Sequence, residues 1–397
     1  MSFNFSLLFL HKTKFLYASF VLFATAFGMN LVIFPGLLQA SHIKASTISY
    51  TFLAETAGII LASLCFSYLA SKLKPWRMFF LAIIFYAILV LLIYFMTSNL
   101  FVWFCFTLIL GFFWLIIVVS RFAWLNIFLE KHNRGLGIAF FSTAISFGLA
   151  LGPVLVKIFG ATNYFSFAVS GGLVFLAMLV LLPIVGDIKR VAIDNSITNK
   201  ISLKNFWQKN KQCFLARFFL DFQTYTLMTC TVLFGVNIGF STENAGLLIT
   251  AYMSSTVFDI VAGFLLKKYQ EKTLINIGFV ICCCCFIIIF LLVFFKQNSY
   301  FLLLWLYFFY GSGIAFLFVS VFSMMSNDYQ QQEMQAGATF QLIGTLGAFF
   351  GILLTSFLMM WHISFGFVLS IILAGVFYFC FANKNIFFYL QNKNKML

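Results

Sequence analysis

Asn133 to Pro153 reads N-R-G-L-G-I-A-F-F-S-T-A-I-S-F-G-L-A-L-G-P, a charged turn that runs into an apolar helix. Its small residues Ala144, Gly148 and Gly152 recur every four positions, so they share one face onto which another backbone can close. Pro153 removes a donor and weakens the helix at that point. A related stretch returns 199 residues later: from Met334, M-Q-A-G-A-T-F-Q-L-I-G-T-L-G-A-F-F-G again leads into small residues at Gly347, Gly351 and Thr355. Ile352 stands where the first copy has Pro153, so the two helices are not equivalent hinges. These glycines are expected to be close-packing faces where two halves of the chain meet and slide, scaffold for motion with no part in binding.

Composition sets the solvent. The chain has 397 residues, 63% hydrophobic and 9% charged, with a mean hydropathy of +1.05. Soluble domains carry roughly a quarter charged residues, so a polytopic membrane protein is implied. A net charge of +14 raises nucleic acid as a partner, but the basic residues lie in short turns with no basic stripe, and that partner is excluded. Nine cysteines sit in or beside apolar runs, four of them at Cys282 to Cys285, and read as small buried hydrophobes.

Apolar runs long enough to span a bilayer occur twelve times, near 15–38, 47–70, 78–96, 101–127, 136–158, 164–185, 214–236, 245–266, 273–295, 300–323, 337–360 and 364–382. The first, preceded by His11, Lys12 and Lys14, is longer than a signal peptide's apolar core and is expected to be retained. The longest polar segment, 186–212, divides a first half (1–185) from a second (213–397). With the N-terminus inside, nineteen Lys and Arg fall in cytoplasmic segments, against Lys44, Lys157 and Lys296 outside. That bias predicts both termini in the cytoplasm, a bacterial inner membrane being the expected setting. Gly111 and Gly311 repeat in the fourth and tenth runs, as Gly148 and Gly152 do with Gly347 and Gly351. The expected fold is therefore an all-α polytopic membrane protein, with 12 transmembrane helices in two pseudo-symmetric six-helix halves.

Over almost its whole length the chain resembles the major facilitator superfamily of secondary transporters. The family's loop after helix 2, G-x-x-x-D-[RK]-x-G-R-[RK], is met here by Ser67, Ser71, Lys72 and Lys74 at its G, D, basic and second G positions, so its basic character alone survives. The loop after helix 8 keeps Gly263 and Lys268 but has Lys267 at the Asp position. The fifth-helix motif G-x-x-x-G-P-x-x-G-G is matched by Gly148, Gly152 and Pro153, with Val156 and Lys157 replacing its last glycines. Arg134-Gly135 matches the R-G often found between helices 4 and 5, whereas Thr107 stands where a basic residue commonly precedes the helix-4 glycine.

Ionisable groups inside membrane helices are costly and point to function. Five qualify here: Glu55, Arg121, Arg217, Asp221 and Asp259. At about 1.5 Å of rise per residue, Glu55 and Asp259 fall roughly 5 Å either side of mid-depth and Asp221 roughly 6 Å. Arg121 and Arg217 lie roughly 10–12 Å out, within snorkelling reach of the surface. Glu55 has no opposite charge within four residues, so it finds a partner on another helix or carries a proton. Arg217 and Asp221 share a helix face and can neutralise each other. The resemblance implies that helices 1, 4, 7 and 10 line a central cavity. Asn30, Arg121, Gln223, Thr224, Tyr307 and Tyr310 would then face a substrate path. Arg121 would hold an anion or exchange partners with Asp221, and Asp259 would latch the halves or carry a proton.

The histidines, His11, His42, His132 and His362, are too dispersed for a metal site or triad, and no G-x-x-x-x-G-K-[ST] is present. No enzyme, cofactor or metal is expected. The implied activity is secondary transport of a small organic solute by alternating access, proton-coupled through Glu55 or Asp221, with Asp259 a further candidate. Export is favoured from the partial helix-5 motif, and a monomer is expected. Uptake of a small metabolite, an anionic one being held by Arg121, and a non-transporting receptor or assembly factor are the alternatives.

Overall fold

The computed structural model describes residues 11–73, 75–96, 99–128, 134–188, 203–266, 268–297, 299–328 and 333–382, and no strand occurs among them. The first half comprises α1 (His11–Ala40), α2 (Ala45–Lys72), α3 (Pro75–Ile93), α4 (Leu100–Phe128), α5 (Arg134–Phe159) and α6 (Tyr164–Leu179). The second comprises α7 (Leu203–Asn237), α8 in two segments (Thr242–Ser254 and Val257–Leu265), α9 (Glu271–Phe294), α10 (Tyr300–Asp328), α11 (Glu333–Met359) and α12 (Ile363–Ala382). Ten of these rods are long and apolar enough to cross a membrane, counted over the described residues. α7 starts at Leu203, not near 214, so the last part of the expected linker is a continuation of that helix.

Packing repeats with the order of the helices. α1 lies on α5 and α6, α2 on α4, and α3 on α4 and α6; six helices on, α7 lies on α11 and α12, α8 on α10, and α9 on α10 and α12. The halves meet along two seams, α2 against α11 and α5 against α8.

Glycine sets the closest approaches within each half. A Cβ on Gly148 would come to 2.5 Å from the Val21 carbonyl oxygen, and one on Gly152 would strike the Gly28–Met29 backbone of α1. Gly347 and Gly351 press in the same way on the Phe218 and Phe222 carbonyls of α7. Gly58 and Gly111 join α2 to α4, and Gly311 joins α10 to Tyr252 and Ser255 of α8. The expectation that Gly148, Gly152, Gly347 and Gly351 line the surface between the halves is thus corrected, because each contacts α1 or α7 of its own half. The seam uses the roughly opposite face of α5, through Ser142, Ala150 and Pro153. The side chain of Arg134, at the first position of α5, lies outside the described residues.

α8 breaks where three hydroxyl residues follow one another. Ser254, Ser255 and Thr256 donate to the carbonyls of Thr250, Tyr252 and Met253, at 2.6–3.0 Å. Such bonds compete with the helical ladder and bend it. The backbone amides of Ser255, Thr256, Phe258 and Asp259 bond three residues back instead of four.

Replacing Gly148 with Leu should cost about 1–3 kcal/mol or more, because the obstacle is a carbonyl that cannot turn aside. Thermal unfolding of the purified protein should show a clear loss of stability. Gly172→Ala, where a Cβ meets nothing within 4 Å, should leave the midpoint unchanged or raise it.

Candidate functional site

Among the described residues, hydroxyl hydrogen bonds cross the seams at different depths, three of them to oxygen and one, Tyr50 to Met360 Sδ at 3.8 Å, to sulfur. At the end of the bundle carrying the α1–α2 turn, Ser49 of α2 donates to Ser356 Oγ of α11 at 2.7 Å. Further in, Thr250 of α8 donates to the Ala150 carbonyl of α5 at 2.9 Å. Towards the opposite, basic end, Ser142 of α5 donates to Asp259 Oδ2 of α8 at 2.7 Å. Asp259 is buried, a carboxylate of one half held by a hydroxyl of the other.

Glu55 lies on α2, nearly two turns on from Ser49. Gly111 presses on its backbone carbonyl, so α4 approaches α2 most closely there. Its side chain is half-buried, with no ion-pair or hydrogen-bond partner among the described residues. One and two turns on, Ile59 and Ala62 continue the same face and pack with Leu115 against Trp114 of α4. The Trp114 indole meets the Tyr225 ring of α7 edge-on at 6.4 Å, across the divide between the halves. Phe27 of α1 lies 5.8 Å from the same indole. Rings from α1, α4 and α7 thus form a chain that crosses the divide.

The second charged feature is self-contained. Arg217 Nη2 and Asp221 Oδ2 are 2.6 Å apart, with side chains only 5% and 6% exposed. Gln341 of α11 accepts from the same guanidinium at 3.4 Å, and Phe322 and Phe340 lie about its plane, 5.0 and 5.1 Å away. A side chain at Gly344 would collide with both ions. Sequence spacing found the pair but not Gly344 or Gln341, which reach it only through the α7–α11 contact.

Most of the expected cavity residues face their own half. Arg121 is fully buried; its Nη2 donates to Ser19 Oγ at 2.9 Å, and Ser19 donates to the Ala177 carbonyl of α6 at 2.6 Å. Phe20, Phe23 and Phe79 surround its guanidinium at 4.7–5.2 Å, while Nε and Nη1 have no hydrogen-bond partner among the described residues. It therefore points into the α1–α3–α6 core, away from Asp221, and the expected exchange of partners has no geometric basis. Asn30 is likewise turned inward: it accepts from Ser170 of α6 at 2.8 Å and donates to Tyr86 of α3 at 3.4 Å. Gln223 donates to the Ile371 carbonyl of α12 at 3.1 Å. Tyr307 accepts from Thr231 at 3.3 Å, and both Tyr307 and Tyr310 are buried against Phe286 of α9. Thr224 is half-buried beside Tyr252 of α8, in its own half. Spacing placed these residues on the right helices. It did not resolve which face each helix turns to its outer supports.

Residues 16–352 match the sequence profile of the Major Facilitator Superfamily. No curated protein sequence matches the chain. Among solved structures, the chain is similar to a D-xylose-proton symporter at 13% identity, covering 92% of this chain and 96% of that one with a TM-score of 0.70. It is similar to the xylose transporter XylE from E. coli at 12% identity, covering 94% and 98% with a TM-score of 0.71. The nucleoside transporter NupG gives 15%, 94%, 98% and 0.71 in the same order. At these identities the likeness is one of fold.

The ion pair can be tested on this chain directly. Asp221→Asn or Arg217→Gln alone leaves a buried charge uncompensated and should cost about 3–5 kcal/mol of stability. Arg217→Met combined with Asp221→Leu should recover most of it, read as the thermal midpoint in detergent. A double variant no more stable than the single ones would show that charge compensation is not what holds the pair.

Proposed function

Because the chain belongs to the Major Facilitator Superfamily, we propose that it moves a small organic solute across the membrane by alternating access of its two halves, with protons as the coupling ion and export as the direction. The observation that carries this reading is Glu55, a half-buried carboxylate at mid-depth with no partner among the described residues. Charge at such a place is costly, and loading and releasing a proton is the simplest way to relieve it. Asp221 is neutralised by Arg217, which makes it scaffold for the second half and leaves proton carriage to Glu55. Asp259 serves as the latch, because its bond to Ser142 joins the halves and breaks when they part. No nucleotide-binding motif occurs in the sequence, so an ion gradient is the energy source that fits.

Export follows from the partial fifth-helix motif. Uptake of an anionic metabolite loses its main support, since Arg121 is enclosed by Phe20, Phe23 and Phe79. Both termini in the cytoplasm of a bacterial cell, and a monomeric state, complete the proposal. The basic residues of the inter-helix turns favour that orientation.

Purified protein in liposomes, with an imposed pH gradient and a trapped pH-sensitive dye, tests the coupling. A panel of amphipathic solutes should evoke proton movement in the parent protein, and Glu55→Gln should reduce it to background. Solute-evoked proton flux that survives in Glu55→Gln would remove Glu55 from the mechanism. For the latch, Ser142→Ala deletes a bond to a charged group worth about 1.5–3 kcal/mol. That should shift the balance of states by about tenfold or more, seen as faster labelling of a cysteine placed at the basic end of the divide. Unchanged labelling would separate the latch from the motion.

A further inference from the structure

The outer end of the α2–α11 seam sets a strong contact beside a weak one. Ser49 of α2 donates to Ser356 Oγ at 2.7 Å, a hydrogen bond between two buried hydroxyls. The next residue, Tyr50, donates to Met360 Sδ at 3.8 Å, and a thioether sulfur is a weak acceptor. Ser356 and Met360 are four apart, so both contacts fall on one side of α11 and its continuation. Met360 lies just past the last residue of that helix, where its amide bonds to the Phe357 carbonyl at 3.2 Å.

Exposure separates Met360 from the other methionines. It is 58% exposed, whereas Met359 beside it is 3% exposed and Met29, Met78, Met178, Met228 and Met253 are buried. No other methionine among the described residues is exposed. In the proposed orientation this end faces outward, away from the cytoplasmic thiol systems that keep residues reduced. Oxidation turns an apolar thioether into a polar sulfoxide. In a core the new dipole would be stranded without a partner. At Met360 the sulfur is open to water, and the added oxygen meets a phenol that already donates to the same side chain.

We propose that Met360 is an oxidation site that fastens the outer seam: a peroxide converts its thioether to the sulfoxide, whose oxygen takes the Tyr50 hydrogen bond more strongly than sulfur does. The sulfur lone pair attacks one peroxide oxygen, so that an S–O bond forms as the O–O bond breaks. Sulfur loses two electrons and hydrogen peroxide is reduced to water, the departing hydroxide taking the proton of the transferred hydroxyl. A firmer bond between α2 and α11 favours the states in which the outer ends lie together, so oxidation slows opening there. This rests on the reading that the two halves move against each other and asks nothing of the solute or the coupling ion.

The test treats the purified full chain with hydrogen peroxide, returns its cysteines to thiols with dithiothreitol, and locates sulfoxide by peptide mass spectrometry. Opening is read from Thr242→Cys, a position that packs against Gly36 of α1 at the same end, as maleimide labelling above that of the native cysteines. Met360 should oxidise ahead of Met359, and labelling at position 242 should slow by about two- to tenfold, the range of one added neutral hydrogen bond. Tyr50→Phe should oxidise at Met360 as readily yet keep its unoxidised labelling rate, and Met360→Leu should not respond to peroxide. Met360→Gln, which offers an amide oxygen to the same phenol, should slow labelling without oxidant. Methionine sulfoxide reductases should restore the parent rate. Thermal midpoints within a few degrees of the parent would show that the variants are folded. A Met360 that resists peroxide, unchanged labelling once it is oxidised, or equal slowing in Tyr50→Phe would overturn the proposal. Slowing that needs both Met360 and Tyr50, in a protein without solute-evoked proton flux, would uphold it and count against the coupling reading instead.

Discussion

Backbone touching backbone is the constraint on which this molecule rests. Lipid offers helices no hydrophobic reason to associate, so close van der Waals approach has to do the work. It does so where a glycine of one helix meets a carbonyl of the next: Gly148 on Val21, Gly347 on Phe218, Gly58 on Leu108 and Gly111 on Glu55. Every one of these contacts lies within a half. The seams between halves, by contrast, are joined among the described residues by scattered hydroxyl hydrogen bonds at Ser49, Tyr50, Thr250 and Ser142. The strong interactions thus define two bodies and the weak ones define the surface between them. Two stiff bodies on a lightly bonded surface are what alternating access requires.

That division also governs the charges. Inside a stiff half a guanidinium can be held without a carboxylate, because fixed rings and a hydroxyl substitute for part of its hydration, as around Arg121. The second half carries its buried cation on α7, paired with Asp221, and Gly344 makes room for the two ions.

Helix number, the two-fold plan and the identity of the charged positions were legible in the sequence, because apolar run length and a fixed repeat distance survive without knowledge of contacts. Direction was not legible. Asn30, Gln223, Tyr307 and Tyr310 sit on the expected helices, yet each bonds or packs to an outer helix of its own half. A helix that is apolar all round carries almost no amphipathic signal, so its sequence does not say which side is inside. The same limit assigned the small face of α5 to the divide. That helix uses one side for α1 and the roughly opposite side for α8.

The broken α8 has a mechanical reading. A continuous helix transmits torque through its ladder of four-residue bonds, and this one changes to three-residue bonds between Tyr252 and Asp259. Its hydroxyls keep the local carbonyls occupied, so bending there exposes little bare backbone to lipid. The two bonds that α8 makes to α5 consequently sit on separate levers, Thr250 on the longer segment and Asp259 on the shorter. One can be released while the other still bears load, so this seam unfastens like a zip and its twin, formed by the unbroken α2, like a clasp.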